Sequence, residues 1–319
     1  MYYLGIDLGG TNIAVGIVDE NHQIIARASA KTQVDTAEQV ADAMAETARA
    51  ALQSAGLTLD DVPWIGVGSP GTVNRATGII EFANNLPFRN TPMVQMLSDR
   101  LSGKKVIMEN DANAAAFGEY MAGALKGAND AIAITLGTGV GGGVIIDGKI
   151  YSGSNFAGAE LGHTVIVVNG RPCTCGRHGC WETYASATGL IKTTKEYMAD
   201  APKDSPLWTL VEGDIDRVNG RTAFDAMRKG DPIGQKIVDE YILYLSEGIV
   251  DMINIFQPDI LCIGGGISNE RETLLAPVRA FVEKQQYAMN SAKKTVVCRA
   301  ELGNDAGIIG AALLGMMGE

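Results

Sequence analysis

Histidine is scarce in this chain: of 319 residues only three are histidine, at positions 22, 163 and 178. So few imidazoles narrow the choice of metal ligands. Basic charge is also short, with 26 Lys and Arg against 37 Asp and Glu and a net charge of −11. A balance of that sign argues against non-specific binding to nucleic acid or to an anionic membrane surface. No apolar run approaches the ~20 residues that cross a bilayer. The opening residues 1–7 lack a basic stretch and soon meet an acid, so no secretory leader and a cytoplasmic protein are expected. The five cysteines are an odd number, and three of them crowd between 173 and 180. That pattern suits a metal site better than a disulfide scaffold.

What is abundant is glycine, 39 residues in a chain 46% hydrophobic and 20% charged, as in a globular protein with many tight turns. The length allows two domains. Residues 2–7, 13–18 and 23–30 read as strands of a meander, turning at Gly9-Gly10 and at 19–22. Thr36 and Gln39 make a capping box ahead of Val40, Met44, Ala48 and Leu52, which keep helical spacing up to Gly56. A strand at 64–68, an irregular stretch at 70–102, a strand at 105–108 and a helix from 112 to about 125 follow. The opening layout then repeats, with strands at 130–136 and 140–146 around Gly137-Thr138-Gly139 and a hairpin at Asp147-Gly148. Residues 200–222 read as a polar surface excursion. A helix at 237–256 leads to a strand at 259–263. A βββαβα order that occurs twice predicts an α/β architecture of two related halves with a cleft between them.

Glycines concentrate in three turns. Asp7, Gly9, Gly10, Thr11 and Asn12 join strand to strand, which excludes the Rossmann and Walker loops. The turn is either a plain hairpin or a phosphate cradle built from backbone N–H groups, with Asp7 beside the water shell of Mg²⁺. The second turn holds Gly137, Thr138 and Gly139 within a run of five glycines in seven residues. That density favours close approach of a ligand, and ATP gripped by one turn from each half is the expectation. Gly264, Gly265 and Gly266 form the third, either a nucleoside platform or a turn leading into a helix.

Asp111 stands where a strand meets a helix and is either the helix cap or a general base facing the ligand crevice. Cys173, Cys175 and Cys180 lie on a loop too glycine-rich for helix or strand, and their spacing predicts a zinc site rather than ordinary buried thiols. His178 would be cramped between two of them. His163, a short strand upstream, can fold back to complete the four ligands.

Taken together, these motifs resemble those of the ROK sugar kinases, nearly end to end. The likeness rests on Asp7-Leu-Gly-Gly-Thr, Gly68-Ser-Pro-Gly71, Glu109-Asn-Asp111, the glycine run 136–143, Gly158-Ala-Glu-Leu-Gly-His163, the loop from Cys173 to Glu182, and Gly264-Gly-Gly. The resemblance implies an actin-like ATPase domain fold with duplicated, ribonuclease H-like halves. One lobe would span 1–113 and 304–319, the other 114–303. It further implies a homodimer or dimer of dimers, Mg²⁺-ATP as donor and a hexose as acceptor, with glucose first. Mannose, allose, fructose and N-acetylhexosamines are the other candidates. Asp111 would be the base; Gly71, Asn110, Asp111, Glu160, His163 and Glu182 would bind the sugar. His163, Cys173, Cys175 and Cys180 would hold a structural zinc. The family's repressors carry a DNA-binding segment ahead of the first turn, which is not expected here, and a non-catalytic sugar sensor is opposed by intact Asp7, Asp111 and both glycine turns.

Overall fold

The computed structural model describes residues 1–32 and 35–317, so the last two residues of the first expected lobe fall outside the description. The chain opens with β1 (Tyr3–Leu8), β2 (Asn12–Val18) and β3 (Ile24–Lys31). Leu4, Ile6, Leu8, Ile13, Val15 and Ile17 are fully buried, whereas β3 alternates half-buried and exposed residues, as a strand with one face on the core does. Helix α1 (Ala37–Ser54) starts at the predicted capping box: the Thr36 hydroxyl accepts the Gln39 N–H and the Gln39 carboxamide accepts the Thr36 N–H. β4 (Ile65–Ser69) follows.

Residues 70–102, expected to be irregular, contain a small sheet of β5 (Thr72–Asn74), β6 (Ile79–Phe82) and β7 (Arg89–Thr91), then α2 (Met93–Arg100). Strands of three or four residues are too short to display an alternation, and cross-strand pairing rather than propensity creates them. β8 (Val106–Asn110) runs directly into α3 (Asp111–Ala122). The second meander is β9 (Ala131–Leu136), β10 (Val140–Ile146) and β11 (Lys149–Tyr151). Its Asp147-Gly148 turn has φ of 51° and 72°, the mirror-image turn that a two-residue hairpin prefers.

Helices α4 (Glu182–Ala185), α5 (Ala187–Ala199), α6 (Pro206–Leu210), α7 (Thr222–Arg228) and α8 (Pro232–Phe256) come next. Residues 200–222 are not a surface excursion, because Leu207, Trp208, Val211 and Val218 are buried anchors within a polar stretch. α8 begins at 232 rather than 237, with Pro232 in its first turn and the Asp231 carboxylate accepting the Ile233 and Gly234 N–H groups. β12 (Ile260–Gly264), α9 (Glu272–Gln285), β13 (Val296–Arg299) and α10 (Ala306–Leu313) complete the chain.

Two sheets among the described residues share one strand order, β3-β2-β1-β4-β8 and β11-β10-β9-β12-β13. In the first, β1 is antiparallel to β2 and parallel to β4, and β4 is parallel to β8. In the second, β10 is antiparallel to β11 and β12 parallel to β13. The duplication expected from the repeated turn pattern is therefore present in the topology.

The chain divides into two compact units, one of residues 1–133, 142–159 and everything from 300 onward, the other of 134–141 and 160–299. The first unit thus extends past residue 113, where the sequence placed a lobe boundary, and keeps α3 whole. The reason is the packing of α3 on α10. A Cβ at Gly118 would overlap the Ala306 carbonyl, and one at Gly310 would overlap the Ala114 carbonyl. The buried Glu119 carboxylate adds a tie by accepting the Glu301 and Leu302 N–H groups at 3.1 and 2.8 Å.

This close approach makes a prediction whose sign opposes helix propensity. Alanine in place of glycine favours an isolated helix by about 1 kcal/mol, yet Gly310→Ala should lower the unfolding free energy by about 1–3 kcal/mol through overpacking. Chemical denaturation decides it: an unchanged or raised midpoint would contradict the packing.

Candidate active site

In the first unit, the expected residues Asp7, Gly71, Asn110 and Asp111 cluster around the β8–α3 junction. Asn110 is the cap of α3: its Oδ1 accepts the Ala112 and Asn113 N–H groups at 3.0 and 3.2 Å. Its Nδ2 donates to the Gly71 carbonyl at 3.2 Å. Gly71 has φ of 96°, and a Cβ there would overlap the Phe82 carbonyl, so this position needs glycine. Capping, which the sequence left open for Asp111, falls to its neighbour. Asp111 is instead the first helical residue, with Oδ1 accepting the Ala112 N–H at 2.9 Å. Burial pushes its carboxyl above the ordinary range, and the Ala112 N–H opposes that shift.

Asp7 ends β1 nearby. Burial, and then the charge of Asp111, raise its carboxyl to about 6, so the two acids are close enough to repel. Room for the Asp7 carboxylate comes from Gly307 in α10, where a Cβ would lie 2.6 Å from Oδ2.

Two residues in this cluster escaped sequence reasoning. Glu109 is 1% exposed, and its Oε2 lies 3.1 Å from Nη1 of Arg75. Its Oε1 accepts the Asn110 N–H at 2.8 Å and Asn113 Nδ2 at 3.1 Å. Burial raises its carboxyl while the Arg75 guanidinium pulls it back. Glu109 opens the Glu109-Asn-Asp111 motif, but nothing local in the sequence signals that an arginine from the β5–β6 hairpin reaches it.

The glycine turns are more specialised than their composition suggested. The Gly9 N–H donates to the Asn12 carbonyl at 2.9 Å and the Gly137 N–H to the Gly139 carbonyl at 3.0 Å. Both donors therefore close their own turns, and a phosphate would draw on the exposed Gly10, Thr11 and Thr138 instead. Lys31 Nζ lies 3.0 Å from Asn12 Oδ1 and adds a cation that the sequence reading missed. In the run 137–143, Gly143 serves packing, since a Cβ there would lie 3.0 Å from the Ala112 carbonyl. Gly137 has open space above it. Gly265, with φ of 82°, presses on the end of β9, where a Cβ would lie 2.6 Å from the Leu136 nitrogen. The second and third turns, Gly137–Gly139 and Gly264–Gly266, thus adjoin in the second unit, and the Ala187 N–H holds the Gly137 carbonyl at 2.8 Å.

The second unit also gathers His163, Cys173, Cys175 and Cys180, with ligand atoms all within 4.8 Å of one another. Cys173 Sγ lies 3.5 Å from His163 Nδ1, and Cys175 Sγ 3.6 Å from Cys180 Sγ. Zinc–sulfur bonds of about 2.3 Å imply tetrahedral edges of about 3.8 Å, so this donor set fits one tetrahedral ion. His178 is exposed and outside the cluster, as the reading that chose His163 required. Burial pushes the Cys173 thiol up to about 12 and raises Cys180, while the Arg177 backbone lowers Cys175. A shared dication would favour all three thiolates.

Glu182, at the start of α4, joins the two features. Its Oε1 is 3.4 Å from Cys173 Sγ and 3.7 Å from His163 Nδ1, and its Oε2 accepts the Val140 N–H at 3.3 Å. A Cβ on Gly139 would overlap this carboxylate. Glu160 is exposed, and its carbonyl accepts the His163 N–H at 3.1 Å.

Residues 3–316 match the ROK family. The chain belongs to the ROK family. Among ROK proteins it is similar to a glucokinase of Thermotoga maritima, 39% identical over 312 residues, covering 97% of this chain and 95% of that one. An N-acetylgalactosamine kinase of Shewanella sp. strain ANA-3 is 30% identical, over 99% of this chain and 96% of the relative. The crystal structure of a Streptomyces griseus ROK glucokinase with glucose and AMPPNP superposes with a TM-score of 0.83 at 37% identity, covering 100% of both chains. The fold is accordingly the actin-like ATPase fold of ROK sugar kinases, and among the described residues no helix is long and apolar enough to cross a membrane.

The raised Asp7 carboxyl has a pH consequence. A folded-state value of about 6 against an ordinary 3.8 means that the folded state holds the proton more tightly. Its stabilising contribution is full below pH about 4 and lost as the pH rises through about 6. Asp7→Asn, which cannot ionise, should raise the melting temperature of the ligand-free protein at pH 8 by about 2 °C or more and change it little at pH 4. Equal shifts at both pH values would contradict the assignment.

Proposed function

We propose that the chain is an ATP:hexose phosphotransferase that converts glucose to glucose 6-phosphate. The observation that carries this reading is Asp111, relieved of capping by Asn110 and held in a desolvated position beside Asp7. That is the environment that suits a carboxylate base for a hydroxyl nucleophile. The similarity along the whole chain to glucokinases supports glucose as the acceptor.

In the proposed reaction Asp111 accepts the proton of the sugar hydroxyl as that oxygen attacks the terminal phosphorus of ATP. The bond from phosphorus to the bridging oxygen breaks, and ADP leaves. Gly71, Asn110, Glu160, His163 and Glu182 orient the sugar by hydrogen bonds to its other hydroxyls. The turns at Gly9–Asn12, Gly137–Gly139 and Gly264–Gly266 receive the nucleotide, with Lys31 adding positive charge beside the first. Mg²⁺, when bound, would neutralise charge on the phosphoryl oxygens, and Asp7 is the residue that would hold it through water.

Zinc is the metal we assign to His163, Cys173, Cys175 and Cys180, in a structural role, since four protein ligands leave no open position. With Nδ1 turned to the sulfurs, His163 keeps Nε2 for a sugar hydroxyl, and the metal fixes the ring's orientation. Thiolate ligands and ATP both suit the cytoplasm, which we propose as the compartment. A homodimer or dimer of dimers is the proposed assembly, on the family resemblance.

Three measurements test this reading. Asp111→Asn should lower kcat by about 10² or more while sugar affinity changes less; near-parental turnover would remove Asp111 from the chemistry. Chelating the metal, with loss verified by elemental analysis, should weaken glucose binding by calorimetry about tenfold or more. Unaltered sugar affinity in metal-free protein would separate the metal from the sugar site. Comparing kcat/KM across glucose, mannose, allose, fructose and the N-acetylhexosamines decides the acceptor.

A further inference from the structure

Arg75 lies just beyond β5, in the hairpin to β6, and its side chain is 31% exposed, yet it ends against a carboxylate that is 1% exposed. A surface arginine reaching inward to a buried acid is uncommon unless the acid must stay charged there. The strand it follows is only three residues long, Thr72–Asn74. Both ends of that strand are fastened to the same place. Before it, the Gly71 carbonyl accepts Asn110 Nδ2 at 3.2 Å; after it, Arg75 Nη1 meets Glu109 Oε2 at 3.1 Å.

The second fastening is continuous with the first. Glu109 Oε1 accepts the Asn110 N–H at 2.8 Å, and Asn113 Nδ2 donates to the same oxygen at 3.1 Å. Asn110 in turn caps α3, on whose first residue the Asp111 carboxylate sits. Without the guanidinium, Glu109 would be an unpaired buried acid. It would then take up a proton or turn toward water, and either response disturbs the oxygen that holds the Asn110 amide.

We propose that Arg75 is a positioning residue for the sugar acceptor: its ion pair with Glu109 latches the β5–β6 hairpin onto the β8–α3 junction and so sets Gly71, Asn110 and Asp111 relative to one another. This rests on the sugar-kinase reading of those three residues and extends it to a residue outside that set. Its effect belongs to the acceptor. Among the described residues, the glycine turns of the second unit, Gly137–Gly139 and Gly264–Gly266, share no hydrogen bond with the latch.

The test varies glucose and ATP in steady state for Arg75→Met and Arg75→Lys and measures Mg²⁺-ADP binding by calorimetry. Arg75→Met should raise the glucose KM and lower kcat, each by about tenfold or more, with the Mg²⁺-ADP Kd within about twofold of the parent. Arg75→Lys keeps the charge but not the planar fork and should recover most of the glucose KM. A general loss of stability would not produce that split. Parental glucose constants in Arg75→Met, or a Mg²⁺-ADP Kd weakened by the same factor as the glucose KM, would overturn the latch. Should Arg75→Met not fold, Glu109→Gln serves in its place: it retains an acceptor for the Asn110 amide and removes the ion pair. Its glucose KM should rise about threefold or more, and a parental value would equally overturn the proposal. Failure of the base assignment has its own mark, parental kcat in Asp111→Asn, which is independent of the Arg75 constants.

Discussion

The hydrogen bonds from the Ala112 and Asn113 amides to the Asn110 side chain decide what the first unit can do. A helix that starts directly after a strand leaves amides without partners, and the nearest polar side chain is drawn to them. With Asn110 in that role, the next residue is free to carry a carboxylate whose protonation is governed first by burial, which raises it, and then by the Ala112 N–H, which opposes the rise. The same asparagine binds the Gly71 carbonyl through its other group. One side chain thereby ends a strand, begins a helix and anchors the loop between β4 and β5.

Surrounding structure keeps this arrangement from relaxing. Glycines at 118 and 310 bring α3 and α10 into backbone contact, and Gly307 leaves space for Asp7 where any side chain would displace it. Desolvation of the two acids is then a property of the packed helices and cannot be removed by a small shift of either one. In the second unit Glu182 plays a comparable part. Its two oxygens face different loops, the sulfur-rich one and the Gly137–Gly139 turn, so the conformations of those loops are not independent.

Much of this was legible in the sequence, for reasons that differ by residue. The meanders, the capping box at Thr36 and the duplicated turns are local, and short-range sterics dictate them. The Cys173, Cys175 and Cys180 spacing constrained the fourth ligand because only three histidines existed to choose from. The short strands between 70 and 102 were not legible, since each is made by its neighbours. Arg75 was hidden for the same reason: its meaning depends on Glu109, which only the folded hairpin brings near. The glycines misled in a more particular way. Their clustering at 137–143 was read as one ligand signal, whereas Gly139 makes room for Glu182, Gly143 makes room for α3, and Gly137 stands against open space.

The two sheets share a strand order, and β1 and β9 occupy the same place in it with the same length of six residues. Set against each other end to end, the two strands differ where it matters: Asp7 in β1 falls opposite Thr135 in β9. The copies have therefore divided their labour. At the mouth of its turn β1 carries an ionisable group of its own; β9 carries a hydroxyl there, and the acid beside its turn comes instead from Glu182 in α4. A strand that carries its own acid holds the charge in the register of the sheet, whereas a carboxylate borrowed from a helix ties the charge beside the second turn to the loop that brings it there.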